Sequence, residues 1–226
     1  MPPRLANESG VSAGGKSVGA AGNWVAALRA LAGHSAPAEH CDLCGATLEQ
    51  RHAHLIEADA KRLLCACVPC ALLFGDQSAR RYRRVPERVA LLANFRLEPA
   101  QWDALRIPIN IVFFFRSAAQ QRWIAMYPGP GGAIQSQLDL SAWEDLVQTN
   151  PTLAELEDDV EAVLLNRLNG AAECFRIPID RCYALVGLMR SHWRGIGGGP
   201  ETELAISNYV TALRAEAGGS ADTARA

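Results

Sequence analysis

At 226 residues and 24.3 kDa the chain is long enough to bury a core of ordinary domain size. A 49% hydrophobic and 20% charged composition excludes disorder throughout, and zero mean hydropathy without a long apolar run excludes a membrane-spanning helix. The net charge of -2 gives no overall field toward nucleic acid or an anionic membrane, so any such attraction must be local.

In chain order, residues 1–22 read as a flexible leader of Gly, Ser and Ala, too poor in apolar surface to offset ordering. It lacks the apolar core of a signal peptide and the twin arginine of an export signal, so the expected location is the cytoplasm. Residues 23–37 read as a short helix and linker: Asn23 caps, Trp24, Leu28 and Leu31 recur at helical spacing, and Gly33 stops the helix. Five of the seven cysteines then fall within thirty residues, while Cys174 and Cys182 stand apart with burial as their expected fate. An odd count, clustered in a chain without an export signal, indicates a metal site rather than a disulfide framework.

Residues 38–79 form the expected metal-binding module. Cys41 and Cys44 lie in one tight turn closed by Gly45, which suits a positive φ, and 22 residues later come Cys67, Pro69 and Cys70. Between them the pattern predicts a hairpin of His52–Glu57 and Arg62–Ala66 about a turn at Ala58–Lys61, followed by a helical turn at Ala71–Phe74. Knuckle, hairpin and helix in that order describe a treble clef, with a zinc ribbon as the close alternative. Four thiolates make a closed tetrahedral site, hence structural Zn2+, with Fe as the competitor because paired CxxC turns also build the rubredoxin site. The Ala71 that follows Cys70 departs from the glycine of that pattern. Strand alternation predicts that Cys65 shares a face with Cys67 and so lies near the ion, as an alternative ligand, a supporting thiol or packing. His52 and His54 also share a face and are further alternative ligands.

Residues 80–215 are expected to form an α+β domain, β-rich first and helical in its C-terminal half. Predicted strands are Arg81–Val85, Arg88–Phe95, Ile109–Arg116 and Arg122–Tyr127, ended by the loop Pro128–Gly132, with a short helix at Pro99–Leu105. Helices are predicted at Ala142–Gln148 with Ser141 as cap, at Leu156–Leu168, at Arg181–Trp193 with Asp180 as cap, and at Glu201–Ala215. Residues 216–226 read as a flexible tail.

Arg80, Arg81, Arg83, Arg84 and Arg88 surround Tyr82, a combination that can hold phosphates and stack on bases. With twenty arginines and two lysines, arginine is simply this chain's default surface cation, and a nucleic-acid-binding regulator is the alternative reading. The acidic run Glu155, Glu157, Asp158, Asp159 and Glu161 suits a helix start, or could meet the arginine patch. The glycine-rich stretches 128–132 and 195–199 match no phosphate-binding motif, and there is no nucleophile elbow or zincin motif. His192 and Arg194 could form a small polar site at a helix end. No catalytic residue is assigned, and the chain is not read as an enzyme.

Taken in order, CDLCG, RLLCACVPCALLF, IPI, IVFFF, YPGPGGA, IPIDRCYALVG and HWRGIGGG resemble a bacterial family encoded in operons of actinobacterial-type, high-affinity nickel-iron hydrogenases, over about residues 38–214. The resemblance implies a hydrogenase accessory or maturation role, with a hydrogenase subunit or maturation factor as protein partner. The leading expectation is therefore a zinc-binding accessory protein with Cys41, Cys44, Cys67 and Cys70 as ligands. A nucleic-acid-binding regulator and a rubredoxin-like iron redox protein are the alternatives.

Overall fold

The computed structural model describes residues 38–60, 62–75, 81–136, 140–170, 172–195 and 198–223. The leader and the helix expected at 23–37 lie outside the described residues, as do Lys61, Arg80 and positions 196–197. Residues 39–226 make one compact unit, and all that follows concerns it.

The architecture is α+β with two antiparallel sheets. A small sheet, in the order β2-β1-β3, joins β1 (Ala53–Glu57), β2 (Arg62–Ala66) and β3 (Tyr82–Arg84). The expected hairpin is present: Ala53 pairs with Ala66 and Glu57 with Arg62, whose side chains also form an ion pair of 3.2 Å. Helix α1 (Val68–Phe74) follows directly, one residue after β2 ends, with Pro69 in its first turn. β3 then returns along β1, pairing Leu55 with Arg84, so the module's sheet extends past residue 79. Gly75 permits this return, because a Cβ there would stand 2.4 Å from the Ala71 carbonyl oxygen and 2.9 Å from Arg84 Cβ.

The large sheet has the order β4-β9-β8-β5-β6-β7, from β4 (Ala90–Leu91), β5 (Ile111–Ser117), β6 (Arg122–Gly129), β7 (Gly132–Gln135), β8 (Glu161–Asn166) and β9 (Glu173–Pro178). Both its faces are covered. Ile111, Phe113, Ala162, Leu164, Phe175 and Ile177 point to one side, where α4 (Ile179–His192) and α5 (Gly199–Thr223) pack through Cys182, Leu185, Met189, Ile206 and Val210. Val112, Phe114, Val163, Leu165 and Cys174 point to the other, against α2 (Pro99–Ala104), α3 (Leu140–Thr149) and the 3-10 turn Pro151–Glu155. Trp143 stacks on Phe114 there, ring centroids 3.9 Å apart.

This double burial explains the principal correction. Leu156–Leu168, expected as a helix, contains β8, a central strand buried at all six positions. A strand covered on both faces loses its period-two signature and becomes a continuous apolar run, in which Val160, Val163, Leu164 and Leu168 fall at helical spacing by coincidence. β9 was missed beside it, so the C-terminal half contributes the middle of the sheet as well as helices. Of Arg88–Phe95 only Ala90–Leu91 pairs, against β9 at the sheet edge. Beyond Tyr127, β6 continues to Gly129 and turns into β7 instead of ending in a loop. Ser141 and Asp180 lie within the first turns of α3 and α4, which begin at Leu140 and Ile179, so neither is the N-cap. The last helix runs to Thr223, through most of the segment read as a tail.

Candidate metal centre

The four predicted ligands converge. Cys41 and Cys44 occupy a turn in which the Gly45 N–H donates to the Cys41 carbonyl at 2.8 Å, and Gly45 adopts φ 76°. This knuckle is fastened to β2 through one residue. Asp42 donates its N–H to the Cys65 carbonyl (2.9 Å), and its carboxylate accepts the Cys65 N–H (2.7 Å). On the other side of the cluster Cys67 is the extended residue that precedes α1, and Cys70 sits in the helix's first turn, where helical winding brings it back beside Cys67. One Sγ from each of Cys41, Cys44, Cys67 and Cys70 lies within 4.8 Å of the other three.

The donor set fits a tetrahedral ion. Cys44 Sγ and Cys67 Sγ are 3.6 Å apart. Four sulfurs at about 2.3 Å from a common centre have edges of about 3.8 Å, whereas a disulfide needs about 2.05 Å. All seven cysteines are free thiols. Burial pushes the Cys41 thiol up, but N–H groups of Cys67, Leu43 and Cys44 outweigh it and bring Cys41 down to about 6. Cys70 moves the opposite way, raised to about 12 by burial and then by the surrounding thiols of Cys67, Cys44 and Cys41. A cation that replaces the thiol protons offsets the repulsion that four converging thiolates would otherwise exert on one another. The cluster could hold a metal ion, and all four tetrahedral positions come from the protein, so no position remains for a substrate.

The position of Cys65 differs from expectation. Strand β2 ends at Ala66, so the alternation that was to carry Cys65 to the face of Cys67 stops before reaching it. Leu64 and Ala66 face the cysteine knuckle with Leu55, Cys41 and Cys70, whereas Leu63 packs on the other side, with Ile56 and Val85. Cys65 belongs to that other side. It pairs across the hairpin with His54 and forms, with His52 and His54, a separate group whose donor atoms lie within 4.8 Å of one another. Burial and the carboxylates of Asp42 and Glu39 raise its thiol. The two histidines do share a face, with ring centroids 4.8 Å apart, but they do not join the four cysteines.

The other features resolve into structure. Arg81 pairs with Glu57 (3.2 Å) and lies over the Tyr82 ring, Arg83 pairs with Asp159 (3.6 Å), and Arg84 pairs with Glu87 (3.6 Å). The basic and acidic patches therefore meet in part, and the acidic run caps no helix: Asp158 pairs with Arg116, and Glu161 is buried against Arg176. His192 Nδ1 lies 2.9 Å from the Leu188 carbonyl, Arg194 bridges to Gly198, and the Thr202 hydroxyl donates to the carbonyls of His192 and Gly198. His192, Arg194 and Gly198 of HWRGIGGG thus fasten the end of α4 to the start of α5. Cys174 and Cys182 are buried, and burial drives both thiols upward. Sequence reasoning missed Asp42 as an anchor, although its place inside CDLCG marks it. It also missed Asp180, whose carboxylate reaches His54 from 126 residues away and leaves no local signal.

No curated protein and no solved structure matches the chain. A family match does cover residues 40–217, from the residue before the first cysteine to the last buried turn of α5, and on that match the chain belongs to the DUF5947 family, a family of unknown function.

Proposed function

We propose that the chain is a cytoplasmic, zinc-binding accessory protein that acts by docking on another protein, with Cys41, Cys44, Cys67 and Cys70 as the zinc ligands. The observation that carries this reading is the surface of α1. Val68, Leu72, Leu73 and Phe74 are 67%, 65%, 74% and 42% exposed on a helix whose start is Cys67. Contiguous apolar side chains on a rigid element mark a surface for association. A closed four-sulfur site would hold that helix in place without chemistry of its own, which favours an accessory role over an enzymatic one. Zinc is preferred to iron on the soft, closed donor set of a small module that depends on a staple.

The resemblance to proteins of hydrogenase operons supplies the proposed client, a nickel-iron hydrogenase subunit or maturation factor. Deleting the gene in its native host should lower hydrogenase activity and cofactor insertion. Normal activity and full insertion in the deletion strain refute the role. Elemental analysis of protein purified without added metal should give zinc, and a red protein with thiolate-to-iron absorption would favour the rubredoxin-like alternative instead.

A further inference from the structure

On the opposite face of the hairpin from the four cysteines, His52, His54 and Cys65 converge, and the two histidines line a groove of about 600 Å³ together with Arg84, Asp180 and Tyr183. His52 and His54 are two residues apart, so both rings emerge on one face, and the register places Cys65 directly across from His54. The hydrogen bonds of each ring then decide which nitrogen is free. His52 Nδ1 lies 2.9 Å from the Glu49 carbonyl oxygen and 3.5 Å from a Glu39 carboxylate oxygen, both of which only accept. Nδ1 therefore carries the proton, and Nε2 carries a lone pair. That side chain is 8% exposed, and Nε2 is buried without a hydrogen-bond partner. Leaving such a buried acceptor unsatisfied is costly, so the position calls for a ligand. His54 is arranged the same way: Nδ1 is 2.8 Å from Asp180 Oδ2, leaving Nε2 as its free donor. A histidine whose outer N–H is held by a carboxylate or carbonyl is the arrangement by which proteins orient metal-binding imidazoles.

We propose that His52, His54 and Cys65 form a second site, for a borderline-soft divalent transition ion, with Asp180 positioning His54 and the fourth coordination place open to the groove. Two imidazoles and one thiolate suit zinc and its neighbours over magnesium or calcium. Three protein ligands leave one position for water or an exogenous donor, in contrast to the closed cluster on the other face. The inference rests on the hairpin and Asp180 and does not require the docking reading, although Val68 and Leu72 of α1 line the same groove.

The test is a titration of metal-free full-length protein with Co2+ alone, followed by visible absorption and equivalents bound. Wild type should bind two equivalents: one with the intense thiolate-to-cobalt band of four sulfurs, the other with the weaker band of a single thiolate. His52→Ala, His54→Ala and Cys65→Ala should each bind one equivalent and keep the four-sulfur band. That band also reports that the module is folded. Asp180→Asn should keep both equivalents but weaken the second about 10–100-fold. One equivalent in wild type, carried by the four-sulfur band, overturns this proposal and leaves the closed site standing. So do two equivalents retained by Cys65→Ala. A single-thiolate band without the four-sulfur band supports this site and overturns the closed one.

Discussion

Replacing Glu161 by Gln should destabilise the fold more than any surface substitution, although it changes only one atom. Glu161 lies on β8 with its side chain 3% exposed, and Arg176, its neighbour on β9, is 13% exposed. Arg176 Nε donates to Glu161 Oε1 at 2.8 Å, and Nη2 donates to Oε2 in a second, shorter bond. The Glu157 N–H also donates to Oε2 (2.9 Å), and Arg176 Nη2 reaches the Glu155 carbonyl (3.2 Å). With charge centres about 4 Å apart and an effective dielectric of about 20, the attraction is about 4 kcal/mol. Removing one partner strands the other charge in the sheet, for which about 3–5 kcal/mol is typical. For a unit of this size that corresponds to a fall of roughly 10 °C in Tm. Urea unfolding should show the lower midpoint with an unchanged slope. The double variant Glu161→Leu with Arg176→Met should recover most of the loss, because the penalty comes from the unpaired charge rather than from missing attraction. A loss below about 1 kcal/mol in the single variant, or a double variant no better than the single one, would refute the reasoning.

Stripping metal with a chelator, or Cys44→Ser, should release the bound ion and speed amide exchange at Cys41, Gly45 and Leu48 about a hundredfold while β5 and β8 keep their protection. Unchanged exchange would mean the knuckle stands without an ion. Leu72→Asp with Leu73→Asp should leave Tm nearly unchanged, since both side chains already face water, and abolish capture of the client in a pull-down from the native host. Retained capture would place docking elsewhere. Acid should weaken the hold of α5 on β9. Hydrogen bonds from Arg214 (2.5 and 2.8 Å) lower the Glu173 carboxyl, helped by Asn166 and opposed by burial. Its folded value is below the ordinary one, so the stabilisation is full above about pH 4.3 and fades as pH falls through the folded value. Arg214→Ala should therefore cost about 1 kcal/mol at neutral pH and progressively less in acid, as read from urea midpoints across pH. A difference independent of pH would contradict the assignment.

How much of this was legible depended on how local each signal is. The ligands Cys41, Cys44, Cys67 and Cys70 come from two CxxC turns, and the hairpin between them is marked by the polar turn that separates two short runs of strand-forming residues. Both the CxxC turns and the polar turn can be read within a few residues. β8 could not, because burial on both faces erases alternation, and the pairing with β5 and β9 that makes it a strand is non-local. Cys65 was misplaced by extending alternation one residue beyond the strand's end. Asp180 was read as a helix cap because Asp before a helical stripe is a sound local rule, whereas its partner lies on the small sheet. Arginine clustering, similarly, suggests a basic patch, yet Glu57 and Asp159 arrive from other segments to pair with it, beside the local partner Glu87.

The two clusters also bear on each other through the backbone. Cys65 gives its side chain to one face of β2 and its peptide groups to the knuckle, through both hydrogen bonds of Asp42. Ordering Cys41 and Cys44 around an ion therefore fixes the strand that presents Cys65, and fixing Cys65 orders the residue that sits between Cys41 and Cys44. Such coupling is reciprocal by thermodynamic necessity: whatever factor the closed site adds to affinity at the open one, the open site returns to the closed one. The asymmetry lies in access. One ion would be enclosed by four sulfurs, while the other would face a groove with a coordination place to spare, so exchange and ligand entry belong to the His52–His54–Cys65 side and permanence to the cysteine side.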